Sequence, residues 1–210
     1  MFYKKISEEL ESVFKTNSEE TKAQFQALSK PARGLKRESK SLNLILDAEK
    51  DFVEKKIIEN KIILYDKKIY SSKKILVMGL PGTGKTTLSQ ELKKYFPLVH
   101  LNADEIRNHF DDWDFSEEGR IRQAERMLRF SNYVILKNIF AITDFVCPLA
   151  KTRSILKPDI LIWMDTEKKG RFKDTNKIFE PPRRFHFRIP TKKAKYWAKH
   201  IKDSILSNDY

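Results

Sequence analysis

The chain has a single cysteine in 210 residues, so no disulfide can form within it and a fold stapled by bridges is excluded. It also lacks any apolar run near the ~20 residues that a membrane-crossing helix needs. The opening residues, Met1 to Glu9, turn acidic where a signal peptide would turn apolar. Together these absences predict a reducing, cytoplasmic setting and no membrane partner. The four histidines (100, 109, 186 and 200) show no metal-ligand spacing, and there is no internal repeat. Glycine is scarce as well, six in all, yet three of the six (Gly79, Gly82 and Gly84) fall within six residues of one another.

That cluster is the most informative stretch of the sequence. Gly79-Leu80-Pro81-Gly82-Thr83-Gly84-Lys85-Thr86-Thr87 has the G-x-x-x-x-G-K-[ST] spacing of a phosphate-binding loop. The apolar run Ile75–Met78 before it reads as a strand. After it, Leu88, Leu92 and Phe96 recur every four residues, as one buried helical face requires. Glycines let the backbone curl so that successive N–H groups point inward at a helix N-terminus, a nest for phosphate. Residues Gly79 and Pro81 through Thr87 are therefore expected to hold ATP, with Lys85 reaching its terminal phosphates and the Thr86 hydroxyl binding Mg²⁺.

Hydrophobic residues make up 40% of the chain, enough for a sizeable core. The net charge of +13 is unevenly spread. Residues 1–74 carry 17 Lys+Arg against 12 Asp+Glu, residues 75–166 carry 12 against 12, and residues 167–210 carry 13 against 5. Basic ends around a neutral centre fit an anionic nucleotide-like substrate and leave room for a nucleic-acid partner, although solvated helix faces also look like this.

Two parts are expected. Residues 1–74 read as a basic, mainly helical extension. Ile6, Leu10, Val13 and Phe14 mark one helix, Phe25 and Leu28 a second, Pro31–Gly34 a joint, and Leu42 to Ile57 a longer helix; residues 62–70 suggest a hairpin. Residues 75–210 alternate short apolar runs with helical stretches, the pattern of an α/β fold with a parallel sheet flanked by helices. The predicted strands are 75–78, 98–101, 139–146, 159–164 and 185–189. The predicted helices are 86–95, 103–110, 117–137, 149–156 and 191–206. Ser116 suits the N-cap of the third helix, and Asn138 its C-terminal end, since Asn tolerates a left-handed backbone.

In such sheets ligands gather beyond the carboxyl ends of the strands. Asp104 follows the second strand there and can accept a hydroxyl proton and help hold Mg²⁺. Arg107 lies one helical turn on, on the same side, placed to clamp an anion. Arg120 and Arg122 open the long third helix, where cations oppose the helix dipole, which suggests an anion-binding task that Glu117 and Glu118 could otherwise merely offset. Cys147, with no histidine nearby, reads as a packed thiol. The basic stretch between Asp165 and Pro182 is a lid candidate whose Phe172 and Phe179 could stack on a ring.

Taken in order, these residues resemble the adenylylsulfate (APS) kinases, which phosphorylate the 3′-hydroxyl of APS with ATP. The resemblance covers about residues 75–200. It runs through GLPGTGKTT, LNADEIR, FSEEGRIRQAERM, DFVCPLAKTR, MDT and FEPP. It implies that Lys85 and Thr86 serve ATP and Mg²⁺ and that Asp104 is the base. It also implies that Arg107 and Arg122 contact the phosphosulfate, that Phe115 and Phe179 border the substrate ring, and that Cys147 stands on the substrate side, where the family has a serine. The family is often dimeric, so a homodimer is expected. Three departures stand out: Asn102 replaces the first Asp of the family's DGD, the lid is shorter, and residues 1–74 have no counterpart in that core. Two other readings use the same loop. One is a polynucleotide or modified-base kinase, since D-x-x-R also follows the second strand in polynucleotide kinases. The other is a non-enzymatic module gated by its nucleotide.

Overall fold

The computed structural model describes residues 39–59 and 72–210. Among them lie five strands and seven helices in the order α1 (Ser39–Glu59), β1 (Lys74–Met78), α2 (Lys85–Leu92), β2 (Leu98–Asn102), α3 (Ala103–His109), α4 (Glu117–Ile135), β3 (Phe140–Asp144), α5 (Ala150–Leu156), β4 (Ile160–Met164), α6 (Lys173–Ile178), β5 (Phe187–Ile189) and α7 (Ala194–Ser207). Their contacts gather Leu46–Tyr210 into one compact unit, so the second half of α1 belongs with the sheet. The sequence reading divides the chain between 74 and 75; the compact unit already begins at Leu46. Of the other unit, Met1–Ile45, only the start of α1 is described. The expected helices over residues 6–14 and 25–28, the joint at 31–34 and the hairpin over 62–70 lie outside the described residues. No helix among those described is long and apolar enough to cross a membrane.

The sheet is parallel throughout, with strand order β2-β3-β1-β4-β5. Its centre is β1, whose Ile75, Leu76, Val77 and Met78 are all buried. A strand covered on both faces needs apolar residues at every position, not at alternate ones. Ile75 and Val77 face a cluster with Leu88, Leu92, Phe140, Ile162, Ile201 and Ile205, which brings α2 and α7 to one side. The long helix α4 packs against β1, β2 and β3. Ser116 caps it by accepting from the Gly119 N–H at 3.1 Å, as the sequence suggests; at the other end the cap is Leu136, not Asn138, which takes the expected left-handed backbone at φ 56° three residues past Ile135.

Two element boundaries differ instructively. The third strand ends at Asp144, not Val146, because the chain turns to reach Cys147, which has a left-handed φ of 45° ahead of Pro148. The lid region carries a short helix, α6, which its polar sequence does not reveal.

Candidate active site

The phosphate loop joins β1 to α2 at the centre of the sheet. Gly79 has φ 148°, and a Cβ there would lie 2.5 Å from the Met164 carbonyl oxygen, so the loop can pass the end of β4 only as glycine. Gly84 caps α2 with φ 92°, a left-handed turn that aims the first N–H groups of the helix into the loop. The loop is braced from within and behind. Thr83 donates its hydroxyl to the Leu80 carbonyl at 2.8 Å, and Thr166, past β4, donates to the Thr83 carbonyl at 2.9 Å. Lys85 donates to the Leu80 carbonyl at 3.1 Å. Burial lowers its pKa, while Asp144 and Asp104 oppose that and Arg171 adds to it.

Below Lys85, the Thr86 hydroxyl donates to Asp144 Oδ2 at 2.7 Å. The same oxygen accepts from Asn102 Nδ2 at 3.1 Å and lies 3.1 Å from His100 Nε2. Asp144 Oδ1 is buried with no hydrogen-bond partner among the described residues. An orphaned carboxylate oxygen beside the loop threonine fits a hard, oxygen-seeking cation such as Mg²⁺. The sequence reading placed Asp144 inside the predicted strand 139–146 and assigned it no role. The available signal was a carboxylate ending an apolar strand that neighbours β1.

Asn102 works in two directions. Its side-chain oxygen accepts from the backbone N–H groups of Asp104 and Glu105, both at 3.0 Å, capping α3, while its nitrogen donates to Asp144. Asp104 is thereby fixed through its backbone at the helix start, with its carboxylate exposed toward a cleft.

That cleft, with about 410 Å³ of space partly open to solvent, is lined in part by Asp104, Arg107, Phe115, Arg120, Gln123 and Cys147. Arg107 is buried and spends donors on the chain itself, reaching the carbonyls of Asp112 (2.7 Å) and Asp114 (2.9 Å). It also lies under Phe115, 4.7 Å from the ring centre. Arg120 flanks the same ring at 5.6 Å and donates to the Phe115 carbonyl at 2.9 Å. Phe115 itself is half exposed to the cleft.

Arg122, the arginine expected at the acceptor, is not on the cleft wall. It turns to the Asp112 carboxylate (2.8 and 3.0 Å) and to Asp114 (3.1 Å). Helical geometry explains the difference, since residues two apart on a helix do not share a face. With Arg120 turned to the cleft, Arg122 is carried round to Asp112. Phe179 ends α6 and is half-buried, but does not line the cleft. Its neighbour Glu180 is tied there, accepting from the Ala150 N–H at 2.7 Å. Cys147 does line the cleft; its thiol is buried against the Thr152 hydroxyl at 3.4 Å, and burial pushes its pKa up to about 12. The segment expected as a lid packs on the phosphate loop: a Cβ on Gly170 would come 2.9 Å from Pro81 Cδ, and Asn176 clasps Gly170 by two 2.8 Å hydrogen bonds.

A parallel sheet with its phosphate loop at the centre and a cleft beyond Asp104 is the architecture of the P-loop kinase fold. Residues 71–165 match the adenylylsulphate kinase family. The resemblance to APS kinases read from the motifs thus has independent support. APS kinase from Mycobacterium tuberculosis, solved with AMPPNP and APS, superposes with a TM-score of 0.52 at 18% identity, over 65% of this chain and 98% of that one. The hexameric APS kinase of Thiobacillus denitrificans gives 0.51 at 19% identity, over 65% of this chain and 29% of that one. These superpositions establish the fold. A curated relative, the cytidine diphosphoramidate kinase of Campylobacter jejuni, is 34% identical over 65 residues, which are 29% of this chain. The match spans 38% of that relative's length.

Proposed function

We propose that this chain transfers the γ-phosphoryl group of ATP to a hydroxyl of an anionic nucleotide, with adenylylsulfate as the first acceptor to test. The observation that carries this reading is the phosphate loop with Lys85 at its helix start, the Thr86 hydroxyl bonded to Asp144 at 2.7 Å, and Asp104 lining the cleft just past β2. A phosphoryl group in transit needs a cation at its oxygens and a base at the attacking hydroxyl. Asp104 is exposed, held by its backbone, and free to take that proton. Lys85 balances negative charge growing on the γ-phosphoryl group. Mg²⁺ bound with the nucleotide would add charge neutralisation, with Thr86 and Asp144 as the residues to hold it. At the acceptor end, a base or sugar ring laid on Phe115 would bring its anionic group to Arg120, with Arg107 bracing the ring from beneath. Asp104 would serve the hydroxyl and could also help hold the cation.

The APS-bound relative supports adenylylsulfate, and the C. jejuni relative gives a reason to test cytidine diphosphoramidate beside it. The nucleic-acid reading gains no support from these relatives. The test is direct: incubate the protein with Mg²⁺, γ-labelled ATP and each acceptor in turn, and look for label in the acceptor. Labelled 3′-phospho-APS made in an Asp104-dependent way is the expected result. Label passing only to cytidine diphosphoramidate would keep the chemistry and change the acceptor. No transfer to either, with ATP bound, would overturn the reading.

A further inference from the structure

Glu49 is a buried carboxylate, 1% exposed, on a helix that precedes the stretch matching the kinase family. Burying a carboxylate is costly unless opposite charge meets it. Here two arginines of α4 do so. Arg129 holds Glu49 with two hydrogen bonds of 2.7 and 2.8 Å, and Arg126 Nε lies 3.4 Å from Glu49 Oε1. Phe52, one helical turn on, packs between the rings of His109 and Phe110 on the α3 side and Phe130 on α4. Lys56 pairs with Glu105, next to Asp104. The second half of α1 therefore bridges the two helices that carry the cleft.

The two arginines differ in what lies beyond them. The contacts described for Arg129 return to α1 alone. Arg126 is itself buried, and its other nitrogens reach the site. One donates to Gln123 Oε1 at 2.8 Å, and Gln123 lines the cleft. The other donates to Asp112 Oδ2 at 3.1 Å. Asp112 in turn starts the Asp112–Asp114 turn, whose carbonyls Arg107 holds and whose carboxylates Arg122 holds. The two terminal nitrogens of Arg126 are thus hydrogen-bonded toward the site, while its buried Nε makes no hydrogen bond and faces Glu49 only as an ion-pair partner at 3.4 Å, so Glu49 supplies charge on the side away from the cleft.

We propose that Glu49 is a positioning residue for the acceptor site, holding Arg126 in the place from which it orients Gln123 and the Asp112–Asp114 turn. The inference rests on the kinase reading for its kinetic consequence, but not for its structural one. Neutralising Glu49 leaves Asp112 as the one carboxylate described against Arg126 and loosens the turn that presents Phe115 and Arg107. The phosphate loop has no described hydrogen bond or ion pair with this set.

The experiment uses the full-length protein in a Trp163→Phe, Trp197→Phe background, so that Trp113, inside the turn, reports its exposure by acrylamide quenching. Glu49→Gln and Arg129→Gln are compared with the parent. The expected result for Glu49→Gln is a roughly tenfold rise in acceptor KM with little change in ATP KM, the pattern of a displaced binding group, and faster Trp113 quenching. Arg129→Gln should lower Tm but leave acceptor KM and quenching at parent values. If Glu49→Gln does not fold, Glu49→Asp keeps the charge one methylene back and should show the same pattern in milder form. Equal effects of the Glu49 and Arg129 variants, or unchanged quenching in Glu49→Gln, would overturn the proposal and leave Glu49 as a helix anchor. Should the parent transfer phosphate to neither acceptor, the kinase reading fails on its own, and the quenching comparison still decides the role of Glu49.

Discussion

Asn102 and Asp144 are register partners at the ends of β2 and β3, joined by an amide-to-carboxylate hydrogen bond of 3.1 Å. The APS kinase pattern has an aspartate at the Asn102 position, and here that site carries an amide. The reason is local: a carboxylate at 102 would press against Asp144, and two like charges sharing a site raise one another's pKa. The amide donates to Asp144 and still caps α3 with its oxygen. The carboxylate beneath the phosphate loop therefore comes from β3.

The first prediction follows from that pair. Asp144→Asn should lower phosphoryl transfer on the order of 100-fold and weaken Mg²⁺ dependence, as loss of a group that holds or orients a metal does. Asn102→Asp combined with Asp144→Asn should recover part of the loss by restoring one carboxylate to the strand ends. Mg²⁺ titrations of nucleotide binding and of turnover check both. Wild-type behaviour of Asp144→Asn would remove it from the site.

Asp104→Ala should keep ATP affinity, because the phosphate loop is untouched, and lose transfer by about 100- to 10,000-fold, the usual worth of a positioned base. Calorimetric ATP binding alongside initial rates separates the two effects. Turnover near wild type would rule out Asp104 as the base.

Arg120 and Arg122 should part ways. Arg120→Ala removes the cation beside Phe115 and should raise acceptor KM about tenfold to a hundredfold, the worth of a charge-assisted hydrogen bond. Arg122→Ala removes a hold on the Asp112–Asp114 turn and no cleft contact, so it should lower stability and raise the acceptor KM less than Arg120→Ala does. Steady-state kinetics and thermal melts of the two variants decide; the reverse pattern would return the acceptor role to Arg122.

Cys147 should resist thiol reagents at pH 8. Its pKa is raised to about 12 by burial, so the reactive thiolate is scarce there, and the sulfur is fully enclosed. Reaction with a chromogenic disulfide should appear only on addition of denaturant. Fast labelling of the native protein would mean that the cleft opens to the sulfur.

Asp112 should shape the acid limb of stability. Hydrogen bonds first from Arg122 and then from Arg126 hold its carboxyl well below its ordinary 3.8, against burial. A depressed carboxyl contributes its stability in full above the unfolded value and loses it as pH falls from about 4 toward the lower folded one. Asp112→Asn should therefore narrow the stability difference between pH 6 and pH 3. An unchanged acid limb would show that the pair contributes little.

The sequence by itself determined the phosphate loop, the strand–helix alternation and the place of Asp104 just past β2. Each is set by residues close together in the chain: the glycines that allow the turn, the apolar runs that fill a doubly covered sheet, the polar residue that ends a strand. The cap at Ser116 and the left-handed backbone at Asn138 were legible for the same reason. Tertiary structure decided everything that depends on partners far apart in sequence. Asp144 joins the site only because β3 lies beside β1 and β2, and the choice of Arg120 over Arg122 for the cleft depends on how α4 is rotated against the sheet. Glu49 became meaningful only once α1 was seated on α4, bringing together charges 77 and 80 residues apart along the chain. A buried carboxylate and its arginines look like ordinary surface charges until packing removes the water between them.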